Sequence, residues 1–120
     1  MKIAFSTSGD NLQSPLDGRF GRARRFLIYE LEAESFELID NAPNMQAVQG
    51  AGIQAAQAVI KSGAEAVVTG HCGPKALRVL TAADVKVYHS EAPTIADALE
   101  QYRLGQLPPA MRADVEGHWA

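Results

Sequence analysis

Short apolar segments and longer segments with helical spacing follow one another along the chain. Five segments have the length and composition of β-strands, namely 2–7, 26–29, 36–39, 65–69 and 85–88. Three segments repeat apolar residues at helical intervals, namely 51–62, 74–83 and 94–104. The second and third strands flank a polar turn at 32–35, which predicts a β-hairpin. The predicted order is therefore β-β-β-α-β-α-β-α.

This order predicts an α/β domain with a mixed five-stranded sheet covered by helices. A helix between two strands implies that they are parallel, whereas the hairpin supplies antiparallel strands. We expect the domain to span residues 1–107 and residues 108–120 to form a C-terminal tail, and Thr94 to cap the third helix. The side chains expected to face the core are Ile53, Ala56 and Ile60 in the first helix, Leu77 and Leu80 in the second, and Ile95, Leu99 and Tyr102 in the third.

The composition indicates one domain with its own core. The chain has 120 residues, of which 47% are hydrophobic, and this suffices for a single core. A net charge of −3 without a broad basic stripe argues against nucleic acid, and no apolar segment approaches the roughly 20 residues that span a membrane. With one cysteine and no signal-peptide pattern, we expect a cytoplasmic protein. Residues 1–29 carry five basic and two acidic side chains, which indicates either an anionic ligand or solvated arginines.

The segment 69–75 combines the only cysteine with a histidine and a lysine. A strand ends here and Pro74 suits the first position of a helix, whose N-terminus attracts anions and favours thiolate over thiol. Cys72 lies between glycines, so we expect it to be exposed as a metal ligand or a nucleophile, with an inert buried thiol as the alternative. His71 is either a ligand or a hydrogen-bonding residue, and two adjacent ligands do not complete a structural zinc site.

Further candidates lie in the loops that border the same edge of the predicted sheet. Ligands of such sheets bind beyond the carboxyl ends of the parallel strands, where Ser8 and Gly70 also lie, together with His89 as a further candidate metal ligand or a residue that supports one. Arg19-Phe20-Gly21-Arg22 is suited to clamping an anion, and solvent-facing arginines are the alternative. Gly50 opens the first helix with unpaired N–H groups, while Met45 in the loop before it is either a soft ligand or a packing residue.

Several enzyme classes lack their signature motifs. The chain has no Walker-type phosphate loop and no Gly-x-Gly-x-x-Gly fingerprint, and its strands carry no paired carboxylates for two-metal chemistry. Three functions remain open from these residues: a carrier of an anionic metal–sulfur ligand, an enzyme that uses Cys72 as a thiolate nucleophile on a small anionic substrate, and a protein-interaction module.

Five motifs in a fixed order resemble the NifX-like family of nitrogenase-cofactor accessory proteins. The resemblance covers nearly all of residues 1–105, and the motifs are those at 1–7, 18–23, 41–43, 50–52 and 69–76. It implies a ribonuclease H-like fold with helices on both faces of the sheet, arranged as three α/β/α layers. It also implies a non-catalytic protein that binds a molybdenum–copper sulfide cluster or an iron–molybdenum–sulfur cofactor precursor, and that exchanges it with donor or recipient proteins.

Carried over to this chain, the resemblance places the cluster between the loop after the first strand and the glycine-rich loops. The segments that it implicates are Phe20-Gly21-Arg22 and Gly70 to Lys75, which includes Gly73 and Pro74, with Met45 in a neighbouring loop. Copper would favour Cys72, His71 or Met45 as soft or imidazole ligands. Because a sulfide cluster brings its own sulfur atoms, we expect helix-terminal N–H groups and basic side chains to supply much of the attraction.

Overall fold

The computed structural model describes residues 1–45 and 50–110, which form five strands and four helices. The predicted hairpin and the alternating strands and helices that follow it are present, with boundaries shifted by at most one residue. In chain order the elements are β1 (Lys2–Thr7), β2 (Arg25–Glu30), β3 (Ser35–Asp40), α1 (Ala42–Met45), α2 (Ala51–Lys61), β4 (Ala66–Thr69), α3 (Pro74–Ala82), β5 (Lys86–His89) and α4 (Ile95–Arg103).

The five strands form one mixed sheet in the order β3-β2-β1-β4-β5. Strand β2 is antiparallel to both of its neighbours, as the hairpin requires. Strands β1, β4 and β5 are parallel, so their carboxyl ends meet at one edge. The prediction of a mixed five-stranded α/β sheet is therefore confirmed.

Helices cover both faces of the sheet, which confirms the three layers. On one face α2 and α3 pack against side chains such as Ala4, Phe26 and Val67. On the other face Ile95, Ala98 and Leu99 of α4 pack against the alternate strand residues. The alternation arises because successive side chains of a strand point to opposite faces. The ribonuclease H-like classification stays an implication of the family resemblance.

The buried face of α2 differs from the predicted one. Its buried residues are Ala51, Ala55, Ala56 and Val59, whereas Ile53 and Ile60 are only half-buried. Small side chains on this face allow α2 to approach the sheet and α3 closely, so tertiary contact overrides the preference for burying the larger isoleucines. Leu77 and Leu80 of α3 are buried as predicted, and in α4 Ile95 and Leu99 are buried while Tyr102 is half-buried against the same core.

One loop segment carries more structure than its sequence indicates. Residues 42–45, predicted as loop, form the single turn of α1, which follows a fully buried Asn41. The Asn41 side-chain amide donates to the carbonyl of Ala23 at 2.7 Å, so this turn is joined to the chain before β2.

The first residues after the predicted domain lie along the free edge of β5. Pro109 forms an antiparallel bridge with Tyr88, and the Ala110 N–H donates to the carbonyl of Val87 at 2.7 Å. The rest of the predicted tail, residues 111–120, lies outside the described residues. Among the helices of the described part of the chain, none is long and apolar enough to cross a membrane.

Candidate functional site

Loops 8–24 and 70–73 meet at the carboxyl edge of the parallel strands. The Ser6 hydroxyl contacts the Thr69 hydroxyl at 2.7 Å and donates to the carbonyl of Asp17 at 2.9 Å. The Gly70 N–H donates to the same Asp17 carbonyl at 3.3 Å, and the Phe20 N–H donates to the His71 carbonyl at 3.0 Å. These bonds join the loop after β1 to the loop after β4.

Two pairs of glycines allow the backbones to approach at this junction. A Cβ atom added to Gly70 would lie 2.5 Å from the Gly18 Cα atom, and one added to Gly21 would lie 2.9 Å from the Gly52 Cα atom. Real Cβ atoms do not approach backbone this closely, so glycine is required at positions 21 and 70 for packing of the chain against itself. Gly70 was expected to admit a ligand; the structure instead fills that space with the backbone of the first loop.

An open pocket of about 320 Å³ lies where the starts of α2 and α3 meet. It includes five of the residues predicted to bind the cofactor, and among the lining residues that the structure describes Lys75 has the one charged side chain. No carboxylate is among the described residues that line it. The lining residues are Gly21, Gly50, Gly52, Ile53, Gly73, Pro74, Lys75 and Ala76.

The two helices at this pocket begin without side-chain caps. Gly50 precedes α2 and Gly73 precedes α3, and neither helix has an acidic residue in its first turn. Helix α4 begins differently, because the Thr94 hydroxyl accepts from the Asp97 N–H at 3.1 Å, which confirms the predicted cap. The first N–H groups of a helix have no partner within it and carry partial positive charge. The pocket is thus suited to an anion.

Cys72 contradicts the expectation of an exposed, thiolate-forming residue. Its side chain is fully buried in the core beneath the start of α3, and burial raises the pKa of its thiol to about 12. Desolvation disfavours the thiolate more than the helix N-terminus favours it. The neighbouring glycines reflect close backbone packing and a cap position rather than access. The structure therefore agrees with the alternative interpretation of Cys72, an inert buried thiol.

The other predicted cofactor residues lie apart from the pocket lining. Phe20 is buried, with its ring centroid 5.0 Å from that of Phe26, so its side chain belongs to the core. Arg19, Arg22 and Ser8 are exposed on the neighbouring loop. The Arg19 Nε atom is 3.7 Å from a carboxylate oxygen of Asp17. The cluster 19–22 therefore contributes Gly21 to the pocket, while its arginines lie nearby on the surface.

The candidate metal ligands also differ in burial and location. His71 is exposed and His89 is half-buried, and their ring centroids are 5.9 Å apart. Met45 is the last residue of α1, and nothing is described of its side chain. Within residues 1–45 and 50–110, no three histidine, cysteine or carboxylate side chains form a group that could hold a metal ion. The residues predicted as metal ligands are thus not gathered into one ligand set.

Sequence reasoning missed part of the pocket. Ile53 was assigned to the core, and Gly52 and Ala76 were assigned no role at the site. Gly52 lies where a Cβ atom would be 3.4 Å from the Cβ of Ala76, so these small residues set the spacing of the two helix starts. The one signal available was the pair of glycines in Gly50-Ala51-Gly52, which by itself is common at helix starts.

Comparison with known families and structures agrees with the family resemblance that the five ordered motifs indicate. The family described as dinitrogenase iron-molybdenum cofactor matches residues 1–105. The apo form of the orange protein from Desulfovibrio gigas is 39% identical with a TM-score of 0.88, over 91% of this chain and 92% of that chain. A putative NifB protein from Thermotoga is 30% identical with a TM-score of 0.79, over 90% and 91% of the two chains.

A more distant structure shares the fold alone. A putative dinitrogenase from Methanocaldococcus jannaschii is 17% identical with a TM-score of 0.66, over 92% of this chain and 94% of that chain. Among proteins with curated functional descriptions, none matches the chain.

Proposed function

The chain belongs to the dinitrogenase iron-molybdenum cofactor family, and on this basis we propose that it binds and carries an anionic metal–sulfur cluster. The cluster is the cargo of the protein and sits in the pocket between the starts of α2 and α3. Within this class we propose a molybdenum–copper sulfide cluster, with an iron–molybdenum–sulfur cofactor precursor as the alternative. Donor and recipient proteins of such a carrier are part of the same proposal.

The observation that carries this proposal is the convergence of two uncapped helix N-termini on one open pocket. The helix starts at Gly50 and Gly73 leave N–H groups for a ligand, and Lys75 adds a full positive charge. Helix N-termini bind anions through these N–H groups and through the helix dipole. The absence of carboxylates among the described lining residues removes the repulsion that would oppose an anion.

The same lining favours a cluster that brings its own sulfur. Gly21 and Gly52 expose backbone, and Ile53 offers a half-buried apolar side chain suited to polarisable sulfide. No thiol is among the lining residues that the structure describes, and Cys72 lies in the core. The cluster is therefore retained by hydrogen bonds and charge rather than by protein thiolates.

The competing proposal, an enzyme with Cys72 as a thiolate nucleophile, lacks the chemistry it needs. A nucleophilic cysteine requires a lowered pKa and access to substrate. In this chain burial raises the pKa of the thiol to about 12 and removes it from solvent. We therefore propose carriage without catalysis.

The experiment that tests this proposal is cluster retention after anaerobic reconstitution with tetrathiomolybdate and copper. The protein is desalted at low and at high salt, and its visible absorption and its molybdenum, copper and iron contents are measured. We expect Lys75→Ala to weaken retention by about three- to tenfold in Kd at low salt, with a smaller effect at high salt because ions screen the exposed charge.

Arg78→Ala is the matched control, because Arg78 is an exposed cation of the same helix outside the pocket lining. It should retain the cluster like the unmodified protein. Loss of the cluster from Arg78→Ala to the same extent as from Lys75→Ala would contradict a site at the helix starts. Failure of the unmodified protein to take up either cluster would reject the proposed function.

A further inference from the structure

Strand β3 is the end strand of the sheet in the part of the chain that the structure describes. The Asn41 N–H donates to the Arg24 carbonyl at 2.8 Å, one step beyond the last registered pair of β2 and β3. Hydrogen-bonded and non-hydrogen-bonded pairs alternate along an antiparallel ladder. Phe36, Leu38 and Asp40 therefore direct their backbone N–H and C=O groups away from β2, toward the outer edge of the sheet. Such an edge is a template for pairing with a further strand.

Two apolar side chains extend the surface of the core to this edge. Phe36 and Leu38 lie on the same face of β3, and each is 40% exposed. Across the ladder they pair with Tyr29 and Leu27, which belong to the core cluster beneath α4. The last residue of α4, Arg103, donates to the Tyr29 hydroxyl at 3.2 Å, and its Cζ atom is 5.8 Å from the Tyr29 ring centroid. The cover that α4 provides thus reaches Tyr29, and the apolar face continues past it onto β3.

The hairpin that carries this surface is acidic. Residues 30–37 contain four carboxylates and no lysine or arginine, the carboxylates being Glu30, Glu32, Glu34 and Glu37. The Met1 amine lies 2.7 Å from Glu30 and 2.6 Å from Glu32, and the Lys2 Nζ atom lies 3.9 Å from Glu37. Carboxylates therefore outnumber the cations that contact them, and the edge favours a basic partner.

The same charges disfavour a second copy of this chain as the occupant. Two β3 strands that pair antiparallel about a two-fold axis place side chains of the same face opposite one another. If Phe36 of one copy pairs with Leu38 of the other, the two Glu37 carboxylates lie directly opposite, which destabilises a sheet. The register centred on Leu38 instead sets Phe36 opposite the Asp40 carboxylate. A basic strand avoids both conflicts.

We propose that the outer edge of β3 binds an extended basic segment of a partner protein by strand addition. Main-chain hydrogen bonds to Phe36, Leu38 and Asp40 supply affinity, and apolar side chains of the segment cover Phe36 and Leu38. Lysine or arginine side chains at the alternate positions of the segment lie opposite Glu37. The surface is built from β2 and β3, so it does not depend on the cluster proposed for the pocket between α2 and α3.

The probe is an acetylated and amidated peptide of alternating lysine and valine, titrated against the unmodified protein at low salt. We expect the amide NMR signals of Phe36, Leu38 and Asp40 to shift and their hydrogen exchange to slow, because these N–H groups gain acceptors. A peptide of alternating glutamate and valine should bind at least about tenfold more weakly.

Two N-methylated forms of the lysine–valine peptide separate strand addition from attraction of charge alone. In the proposed register the valines lie opposite Phe36 and Leu38, so their N–H groups donate to the β3 carbonyls. N-methylation of the valines should abolish binding. N-methylation of the lysines, whose N–H groups point away from β3, should preserve it.

A charge reversal tests the position of the basic side chains. Glu37→Lys should weaken binding of the lysine–valine peptide by about three- to tenfold. Glu91→Lys is the matched control, because Glu91 is an exposed carboxylate that follows β5 at the other end of the sheet, and its reversal changes the net charge equally. Lys75→Ala should also leave peptide binding unchanged, which separates this surface from the anion pocket.

Several outcomes would overturn the proposal. Equal affinities for the lysine–valine and glutamate–valine peptides would reject a basic partner, and equal affinities for the two N-methylated peptides would reject strand addition. Absence of peptide binding would mean that the carboxylates protect this edge from association. Dimerisation of the unmodified protein with protection of the β3 amides would assign the edge to a second copy.

Discussion

Cys72 shows how the environment of one residue sets its chemistry. The glycines on both sides of Cys72 and the helix that begins after it are typical of reactive cysteines. The Cys72 side chain is nevertheless fully buried. Burial raises the pKa of the thiol to about 12, compared with about 8.5 for an exposed cysteine. The consequence is a thiol that is protonated in the folded state throughout the physiological range.

This shift predicts a specific pH dependence of stability. Above about pH 8.5 the unfolded chain loses the Cys72 proton while the folded chain keeps it, so the folded state is destabilised as the pH rises toward about 12. From about pH 8 to about pH 10 we expect this cysteine to lower the free energy of unfolding by about 1.5–2 kcal/mol. Urea unfolding at several pH values measures it, by comparison of the unmodified protein with Cys72→Ala.

Cys72→Ala serves as its own baseline, because its lower stability from the lost side chain does not vary with pH. The variant should lose less stability than the unmodified protein as the pH rises. Parallel stability curves for the two proteins would mean that the thiol ionises equally in the folded and unfolded states, and would contradict the assignment of Cys72 to the core.

Between elements, glycine contacts determine how the loops and helix starts fit together. Gly70 at the end of β4 touches the backbone of Gly18, and Gly21 touches the start of α2 at Gly52. Both contacts join segments that are distant in sequence, so they place the loop after β1 against β4 and α2. The shape of the anion pocket follows from these contacts, because Gly21 and Gly52 are both in its lining.

The contact between Gly18 and Gly70 offers a matched pair of substitutions. In Gly70→Ala the new Cβ atom would lie 2.5 Å from the Gly18 Cα atom, so backbone must move and we expect a loss of about 1–3 kcal/mol in the free energy of unfolding. In Gly18→Ala the Cβ atom meets nothing within 4 Å, and we expect a change of about 0.5 kcal/mol or less. Chemical denaturation of the two variants provides the measurement.

The outcome also separates two roles of Gly70. If this glycine gave a ligand room to approach, Gly70→Ala would leave the stability of the cluster-free protein unchanged and reduce cluster retention. Equal stabilities of the Gly70→Ala and Gly18→Ala variants would therefore contradict the packing role assigned from the structure.

Across the whole molecule, the sheet was predictable from the sequence and the pocket only in part. Strands and helices alternate with clear periodicity, and a helical connection implies parallel pairing, so order and layers follow from local patterns. The burial of Cys72 and the partial exposure of the half-buried Ile53 do not follow from local patterns, since both depend on how α2 and α3 meet. Local periodicity predicted a buried face of α2 that includes Ile53 and Ile60, whereas close contacts of small residues select the observed face.

The pocket is assembled from three segments that only the folded chain brings together. Gly21 comes from the loop after β1, three residues (Gly50, Gly52 and Ile53) come from the start of α2, and residues 73–76 come from the start of α3. An unfolded chain retains neither the helix N-termini nor their spacing. A ligand held by this pocket therefore binds the folded state alone, and binding must stabilise the fold by mass action.

We therefore expect cluster binding to raise the free energy of unfolding. With free cluster at about 100 times its Kd, the increase should be about 2.7 kcal/mol, measured anaerobically by urea unfolding with and without cluster. Lys75→Ala should show a smaller increase at the same cluster concentration, because its weaker affinity lowers the ratio of free ligand to Kd, whereas Arg78→Ala should match the unmodified protein.

A cluster that stays bound to the chain through unfolding, with no gain in stability, would mean attachment through a ligand that the unfolded chain also possesses. The single thiol of Cys72 would then be the first candidate, since unfolding exposes it and returns its pKa toward that of a free cysteine. The linkage measurement thus distinguishes a site made of helix starts from a site made of one side chain.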